Sequence, residues 1–272
     1  MTPDQQRVFF EDQGYLVLED FLSAEEIATC DTEIERLHGF AATLSEDDPN
    51  RKNFQLEPYA DADTRQATDK PLLRKIEETR DYSDVFRDLA AHPKLIDMVR
   101  VLLGDDLLLF RSTLMLKPAL HGSVHVFHQD SAYWPMKPPS LVTVSIALSD
   151  SSAENGCIQV IPESHKWGLQ DWGLIAQDKD KPLTERDDLD LSRLTQVPLK
   201  TGSALMFHSL VVHGSGPNNS PNPRHTALYA YFPPTVTYSP STGGPAEKTV
   251  PVIHGLEGAT EITLRAGVEP NR

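Results

Sequence analysis

The spacing of apolar positions along the chain changes once, close to residue 105. Before that point the pattern is mostly helical. Pro3 to Gln13, closed by Gly14, reads as a short helix with proline at its start, and Tyr15 to Leu18 reads as a strand. Ser23-Ala24-Glu25-Glu26 forms a capping box, after which Ile27, Cys30, Ile34 and Leu37 make one apolar stripe at helical spacing, a core face rather than a cofactor site. Further helical patterns cover Leu72 to Glu78 and Ser83 to Leu103, the second ended by Gly104. From Leu107 onward strand signals take over: Leu107 to Leu116, Val124 to His128, Leu141 to Leu148, Ile158 to Ile161, Gln196 to Leu199, Ala204 to Val212 and Arg224 to Phe232. Short strands separated by Gly/Pro turns predict a mainly β jelly roll behind a helical N-terminal part, in one domain divided near residues 104 and 235. Two stretches break the pattern. Gln177 to Asp190 is a charged run with Lys179, Lys181 and Arg186 among acids, read as a solvated insertion by the pocket mouth. The C-terminal extension, residues 236 to 272, is rich in Gly and Pro from Thr237 and has no clear period.

Charge and composition narrow the classes of partner. Against 40 Asp and Glu the 272 residues carry 25 Lys and Arg, a formal net charge of −15, which repels phosphate backbones and argues against nucleic acid. The same sign weakens the case for a coenzyme A thioester. No run of 18 apolar residues occurs, so no membrane span is expected. Met1-Thr2-Pro3-Asp4-Gln5 lacks the basic and apolar regions of a secretory signal, and a cytoplasmic location is expected. Cys30 and Cys157, the two cysteines, read as buried thiols rather than a disulfide framework.

Candidate chemistry enters with His128-Gln129-Asp130 at the end of an apolar strand. Side chains two apart on a strand share a face, so His128 and Asp130 can converge on one ion while Phe127 and Gln129 point away. Two imidazoles and one carboxylate are the protein ligands of a non-haem Fe(II) oxygenase, leaving open positions for cosubstrate and O2. The third ligand must come from a distant strand. His208 and His213 both lie in the apolar segment Gly202 to Ser215, and the spacing to an arginine favours His213. A 2-oxoglutarate site needs a cation for the far carboxylate, and the planar fork of arginine suits it. Arg224 opens the strand that runs to Phe232, eleven residues after His213, enough for a turn and a return along the next strand. Thr226 shares its face and adds a hydroxyl. His208 and His225 then read as packing residues; the alternative for His213 itself is a hydrogen-bonded core histidine. The aromatic run after Asp130 suits a pocket wall, and Tyr133 and Trp134, with Lys117, are the candidate substrate contacts.

These pieces, in order, resemble the phytanoyl-CoA hydroxylase-like family of Fe(II)/2-oxoglutarate dioxygenases: His128-Gln129-Asp130 with Tyr133 and Pro135, Glu154-Asn155-Gly156-Cys157 leading to Ile161-Pro162-Glu163-Ser164-His165-Lys166, and His213-Gly214-Ser215 with Arg224. The similarity runs from about Gln6 to Phe232. The resemblance implies a double-stranded β-helix, with iron on His128, Asp130 and His213, 2-oxoglutarate on Arg224 with Ser215 beside it, and Lys75, placed on a helix, also reaching the cosubstrate. Relatives often carry a tryptophan where Ile146 stands here, on the strand expected to floor the cosubstrate site. His165 and Asn155-Gly156 read as turn residues.

The resemblance implies that 2-oxoglutarate is decarboxylated to succinate while a C–H bond of a small-molecule substrate is oxidised, by hydroxylation, desaturation or ring closure. Chlorination is disfavoured, because Asp130 fills the position that chloride would take. The alternatives are a cupin-type metal enzyme without 2-oxoglutarate, which has no use for Arg224, and a degenerate binding protein on the same fold.

Overall fold

The computed structural model describes residues 1–57, 71–170, 191–240 and 243–268; the charged run 177–190 expected as an insertion lies outside them. Helix α1 (Pro3–Gln13) opens on a capping box between Thr2 and Gln5 and ends where Gly14 turns left-handed, φ 81°. Helix α2 (Ala24–Thr43) opens on the expected Ser23–Glu26 box and buries Ile27, Cys30, Ile34 and Leu37. The pattern from Ser83 to Leu103, expected as one helix, is two: α3 (Asp84–Ala90) and α4 (Pro93–Leu103). Pro93 has no N–H to give to the preceding turn, so it ends one helix and opens the next.

The strands are β1 (Tyr15–Leu18), β2 (Phe54–Leu56), β3 (Leu73–Glu77), β4 (Leu107–Lys117), β5 (His125–His128), β6 (Met136–Lys137), β7 (Val142–Ala147), β8 (Ile158–Val160), β9 (Thr195–Val197), β10 (Ala204–His208), β11 (His213–Ser215), β12 (Arg224–Phe232), β13 (Thr237–Tyr238), β14 (Glu247–His254) and β15 (Glu261–Arg265). A large antiparallel sheet runs β1-β10-β7-β12-β4-β14-β15. Strand β3, carrying β2, shares with β14 the edge of β4 opposite β12. A small sheet runs β5-β11-β8-β9, and β6 and β13 pair separately. The two main sheets form the double-stranded β-helix. The outer face of the large sheet is covered by helices: Val144, Ile146, Met206 and Tyr229 join Ile27, Ile34, Leu37 and Phe86 in one core. Two buried tyrosines fasten that layer, Tyr229 donating to Phe86 O at 2.9 Å and Tyr231 to Ala90 O at 2.7 Å. Between the sheets Leu205, Phe207, Val160 and Val197 form an inner core.

Three expectations are corrected. Leu72 to Glu78 is not helical: Leu73–Glu77 is strand β3, paired with β2 and β4. Its two apolar positions, Leu73 and Ile76, sit three apart, a spacing that mimics a helix turn; a register shift opposite, between Gln55 and Leu56, accommodates it. The run Ala204 to Val212 is not one strand. It leaves the large sheet after His208, turns through Ser209 to Val212, and enters the small sheet at His213. Leu210, Val211 and Val212 remain buried through that crossing, so hydrophobicity alone hides it. The C-terminal tail is a built part of the fold. Strands β14 and β15 form a hairpin on the edge of β4, and Val236, Tyr238, Val250 and Leu264 pack with Trp134 and Phe232.

Candidate active site

His128 ends β5 and His213 begins β11, and the two are direct cross-strand partners in the small sheet. Their side chains therefore stand side by side on one face, ring centroids 4.3 Å apart. Gly214 allows the two strands to approach: a Cβ there would meet His125 O at 2.9 Å and Phe127 N at 3.1 Å. Gln129 continues the extended backbone, φ −113° and ψ 127°, so Asp130 returns to the face of His128 as the alternation requires. Gln129 points the other way and is fully buried; its amide donates to Leu210 O at 2.7 Å and Gly168 O at 2.9 Å.

The three side chains converge, with one ligand atom from each lying within 4.8 Å of the others. Asp130 Oδ1 is 3.5 Å from His128 Nε2 and 3.8 Å from His213 Nε2. Each histidine is oriented from behind. His128 Nδ1 donates to Val126 O at 2.9 Å and His213 Nδ1 to Val211 O at 3.0 Å, and since a carbonyl only accepts, the proton sits on Nδ1 and leaves the Nε2 lone pair facing inward. Thr143 Oγ1 donates to Asp130 Oδ2 at 2.7 Å. Burial and the neighbouring His128 ring lower the pKa of His213 to about 4, so it is neutral and ready to ligate. For Asp130 burial favours the neutral acid, but the His213 and His128 rings and the Thr143 hydrogen bond outweigh it and hold the pKa at about 2. One carboxylate and two imidazoles facing one point fit a divalent iron.

These ligands open on a cavity of about 100 Å³ between the sheets, room for several waters at roughly 10–15 Å³ each. Arg224, Ser215, Thr226, Lys75 and Trp134 of the sequence-predicted set line it. Arg224 is buried and donates through Nη1 to Gly156 O, whereas its Nε has no hydrogen-bond partner among the described residues. Burial lowers its pKa to about 10, which leaves it cationic at neutral pH. A buried guanidinium with an unsatisfied donor, facing a cavity that holds a metal triad, fits the carboxylate of a 2-oxoglutarate cosubstrate. Lys75 reaches the wall from strand β3 rather than from a helix and forms an ion pair with Glu77. Ser145 Oγ, on β7, is a second buried polar atom of the wall without a partner among the described residues.

Lys117 and Tyr133 do not line the cavity. The Lys117 ammonium is buried and tied down by Ser123 O at 2.6 Å and by Gly216 O, and burial together with Arg224 lowers its pKa to about 7. Tyr133 lies edge-on to the His128 ring at 5.8 Å. Ile146 faces the helices and floors nothing; its neighbour Ser145 faces the cavity. His208 accepts from Leu210 N and lies 5.6 Å from the ring of His165. His165 is a tie residue, its Nε2 donating to Glu11 O at 3.0 Å. The turn at Asn155-Gly156 is also structural. Gly156 has φ +77°, and a Cβ there would strike Gly216 O at 2.3 Å.

Arg111, Thr113, Met115, Phe207 and Leu228 also line the cavity and were not anticipated. For β4 a signal existed: Arg111, Thr113 and Lys117 put polar residues at even spacing into a leucine-rich strand.

Residues 10–226 match the family model described as phytanoyl-CoA dioxygenase. A probable alpha-ketoglutarate-dependent hypophosphite dioxygenase from Stutzerimonas stutzeri is 29% identical over 235 residues, which cover 85% of this chain and 78% of the relative. An ectoine dioxygenase from Nocardia farcinica is 30% identical over 238 residues, with 82% and 75% covered. Among solved structures, EctD from S. alaskensis superposes with a TM-score of 0.68 at 27% identity, covering 86% of this chain and 78% of EctD; EctD has also been solved with bound Fe and with 2-oxoglutarate and 5-hydroxyectoine. The epimerase SnoN from nogalamycin biosynthesis shares the fold, with a TM-score of 0.70 at 23% identity over 99% of this chain and 95% of SnoN.

Proposed function

Because the chain belongs to the phytanoyl-CoA dioxygenase family and is an Fe(II)- and 2-oxoglutarate-dependent dioxygenase, we propose that His128, Asp130 and His213 hold the iron. Arg224 holds the distal carboxylate of 2-oxoglutarate, with the Thr226 and Ser215 hydroxyls beside it and Lys75 reaching the cosubstrate from β3. The substrate is a small molecule oxidised at an unactivated C–H, by hydroxylation, desaturation or ring closure. The observation that carries this reading is the convergence of three ligand atoms within 4.8 Å on the same cavity as a buried arginine with an unpartnered Nε.

When bound, iron and cosubstrate together supply the oxidising chemistry; the chain supplies placement. The backbone carbonyls of Val126 and Val211 fix both imidazole tautomers, and Thr143 holds the Asp130 carboxylate in its orientation. Arg224 sets the depth at which the cosubstrate sits. Trp134, held in the C-terminal hairpin's core, and Leu228 keep water from the reacting centre. Within the family, the relatives named above act on small molecules as different as hypophosphite and ectoine, so membership leaves the substrate open.

The test is anaerobic titration of the Fe(II) protein with 2-oxoglutarate. A visible charge-transfer band and a calorimetric isotherm with one site per chain are expected, and Arg224→Ala should weaken both. Absence of binding by the wild type would overturn the assignment of Arg224 and of the cosubstrate site.

A further inference from the structure

On the cavity face of the large sheet the side chains fall into rows across strands. Thr143, Ala230 and Arg111 are register partners on β7, β12 and β4. The next row is Ser145, Leu228, Thr113 and Glu77, and the one after it holds Thr226, Met115 and Lys75. Arg224 lies beyond, opposite Lys117. With about 3.3–3.4 Å per residue along a strand, three two-residue rows place the backbones of Arg111 and Arg224 about 20 Å apart. The Arg111 row is also the row of Thr143, whose hydroxyl holds the metal-ligating carboxylate of Asp130. Arg111 is thus level with the iron ligands, at the opposite end of the wall from the cosubstrate arginine.

Its surroundings differ from those of Arg224. Arg111 Nη2 donates to both oxygens of Glu77, at 2.5 and 2.6 Å, and its Nε donates to Glu77 Oε2 at 3.2 Å and Thr113 Oγ1 at 3.1 Å. Nη1 has no hydrogen-bond partner among the described residues. Lys75 pairs with the same carboxylate, so two cations share one anion. Glu77 is ionised, since the burial that opposes its charge is outweighed by Arg111 and Lys75.

Charge balance points to what completes the group. Two cations of the wall, Lys75 and Arg111, share the single carboxylate of Glu77. That leaves one positive charge over at a half-buried stretch of the wall. An uncompensated charge in such a place is costly.

We infer that the substrate is a small monocarboxylate, its carboxylate received by Arg111 Nη1, with Glu77 as the positioning residue that accepts from the other side of the guanidinium. The apolar body then lies along Leu228 and Trp134, which brings a C–H toward the metal side of the row. This rests on the reading of the cavity as the iron and 2-oxoglutarate site.

The test uses the anaerobic Fe(II) protein loaded with 2-oxoglutarate, titrated calorimetrically with a panel of aliphatic and aromatic monocarboxylates, each paired with its primary amide. Carboxylates should bind, with amides roughly tenfold or more weaker. Arg111→Gln should erase the preference and Arg111→Lys keep part of it. Glu77→Gln keeps an acceptor oxygen for the Arg111 guanidinium while removing the competing negative charge, and should tighten carboxylate binding several-fold, a gain that a misfolded variant cannot produce. Amides binding as well as carboxylates, no binding from anything in the panel, or a preference that survives Arg111→Gln would overturn the inference. Failure of 2-oxoglutarate itself to bind in the first titration would instead sink the reading of the site, and this inference with it.

Discussion

The small sheet and the large sheet contribute to the same cavity in opposite ways. From β5 and β11 come His128 and His213, direct partners across one strand pair, with Asp130 two residues beyond. Each of the three is held from behind: the Val126 and Val211 carbonyls accept from the two imidazoles, and from the facing sheet the Thr143 hydroxyl donates to the carboxylate. The large sheet spreads its contribution over β3, β4, β7 and β12, and several of its polar side chains are incomplete among the described residues. Arg224 has an orphaned Nε, Ser145 an orphaned hydroxyl, and Arg111 and Lys75 share one carboxylate. A side that is closed upon itself suits an ion of fixed geometry; a side left open suits organic ligands that arrive with their own acceptors. The division can be broken by substitution on each side in turn.

The largest effect belongs to the small sheet. Replacing His128, Asp130 or His213 with Ala should abolish activity and reduce Fe(II) to substoichiometric levels in metal analysis. His208→Ala, which alters a residue whose ring accepts from Leu210 N in its own turn and lies beside His165, should keep full metal content. Iron retained by His213→Ala but lost from His208→Ala would reverse the assignment.

Next comes the large sheet's anchor. Arg224→Ala should raise the apparent KM for 2-oxoglutarate by roughly 10- to 1,000-fold, since a charge-assisted bidentate pair in a partly dry site contributes about 1.5–4 kcal/mol. Arg224→Lys should rescue poorly, because an ammonium cannot reproduce the planar fork. Metal content should stay normal in both, and its loss would erase the separation between the two sheets.

That separation also explains what could be read without a structure. The small sheet's candidate ligands announce themselves as His128-Gln129-Asp130 and His213-Gly214-Ser215, because strand alternation and one close backbone approach are properties of adjacent residues. Arg224 was legible through its distance from His213 and the turn between them. Ser145 and Glu77 were not, and the polar spacing that marks Arg111 on β4 does not say what it meets, since that depends on the register of β3, β4, β7 and β12, and no local pattern encodes register between strands that lie far apart in the chain. The same cause hid the tail: β14 and β15 carry Pro251 and irregular burial, and their strand character comes from pairing with each other and with β4, more than a hundred residues earlier. Lys75 lines the cavity from a strand and not from the expected helix, because Leu73 and Ile76 fit a helix turn as well as a bulged strand.

Thr143 reaches from the large sheet to hydrogen-bond Asp130, and it sharpens the comparison. Thr143→Val keeps the shape and removes the hydrogen bond to Asp130 Oδ2. Loss of a partner that orients a ligand typically costs 10- to 100-fold in metal affinity, so Fe(II) titration should show a weakening in about that range with 2-oxoglutarate affinity changed only in proportion. An unchanged metal affinity would mean that the Asp130 carboxylate is held by the two histidines alone.

The smallest effect distinguishes an open polar group from a merely imperfect one. The Ser145 hydroxyl is buried in the cavity wall without a partner among the described residues, and a buried group in that state costs about 1–3 kcal/mol. Ser145→Ala should therefore raise the melting temperature of the ligand-free protein while weakening 2-oxoglutarate by about 2- to 10-fold, the range of a single neutral hydrogen bond of about 0.5–1.5 kcal/mol. The two changes must appear together, because the strain in the empty protein and the contact in the filled one are the same atom. A higher melting temperature with unchanged 2-oxoglutarate affinity would move the hydroxyl out of the cosubstrate's reach and toward the substrate in the row it shares with Leu228.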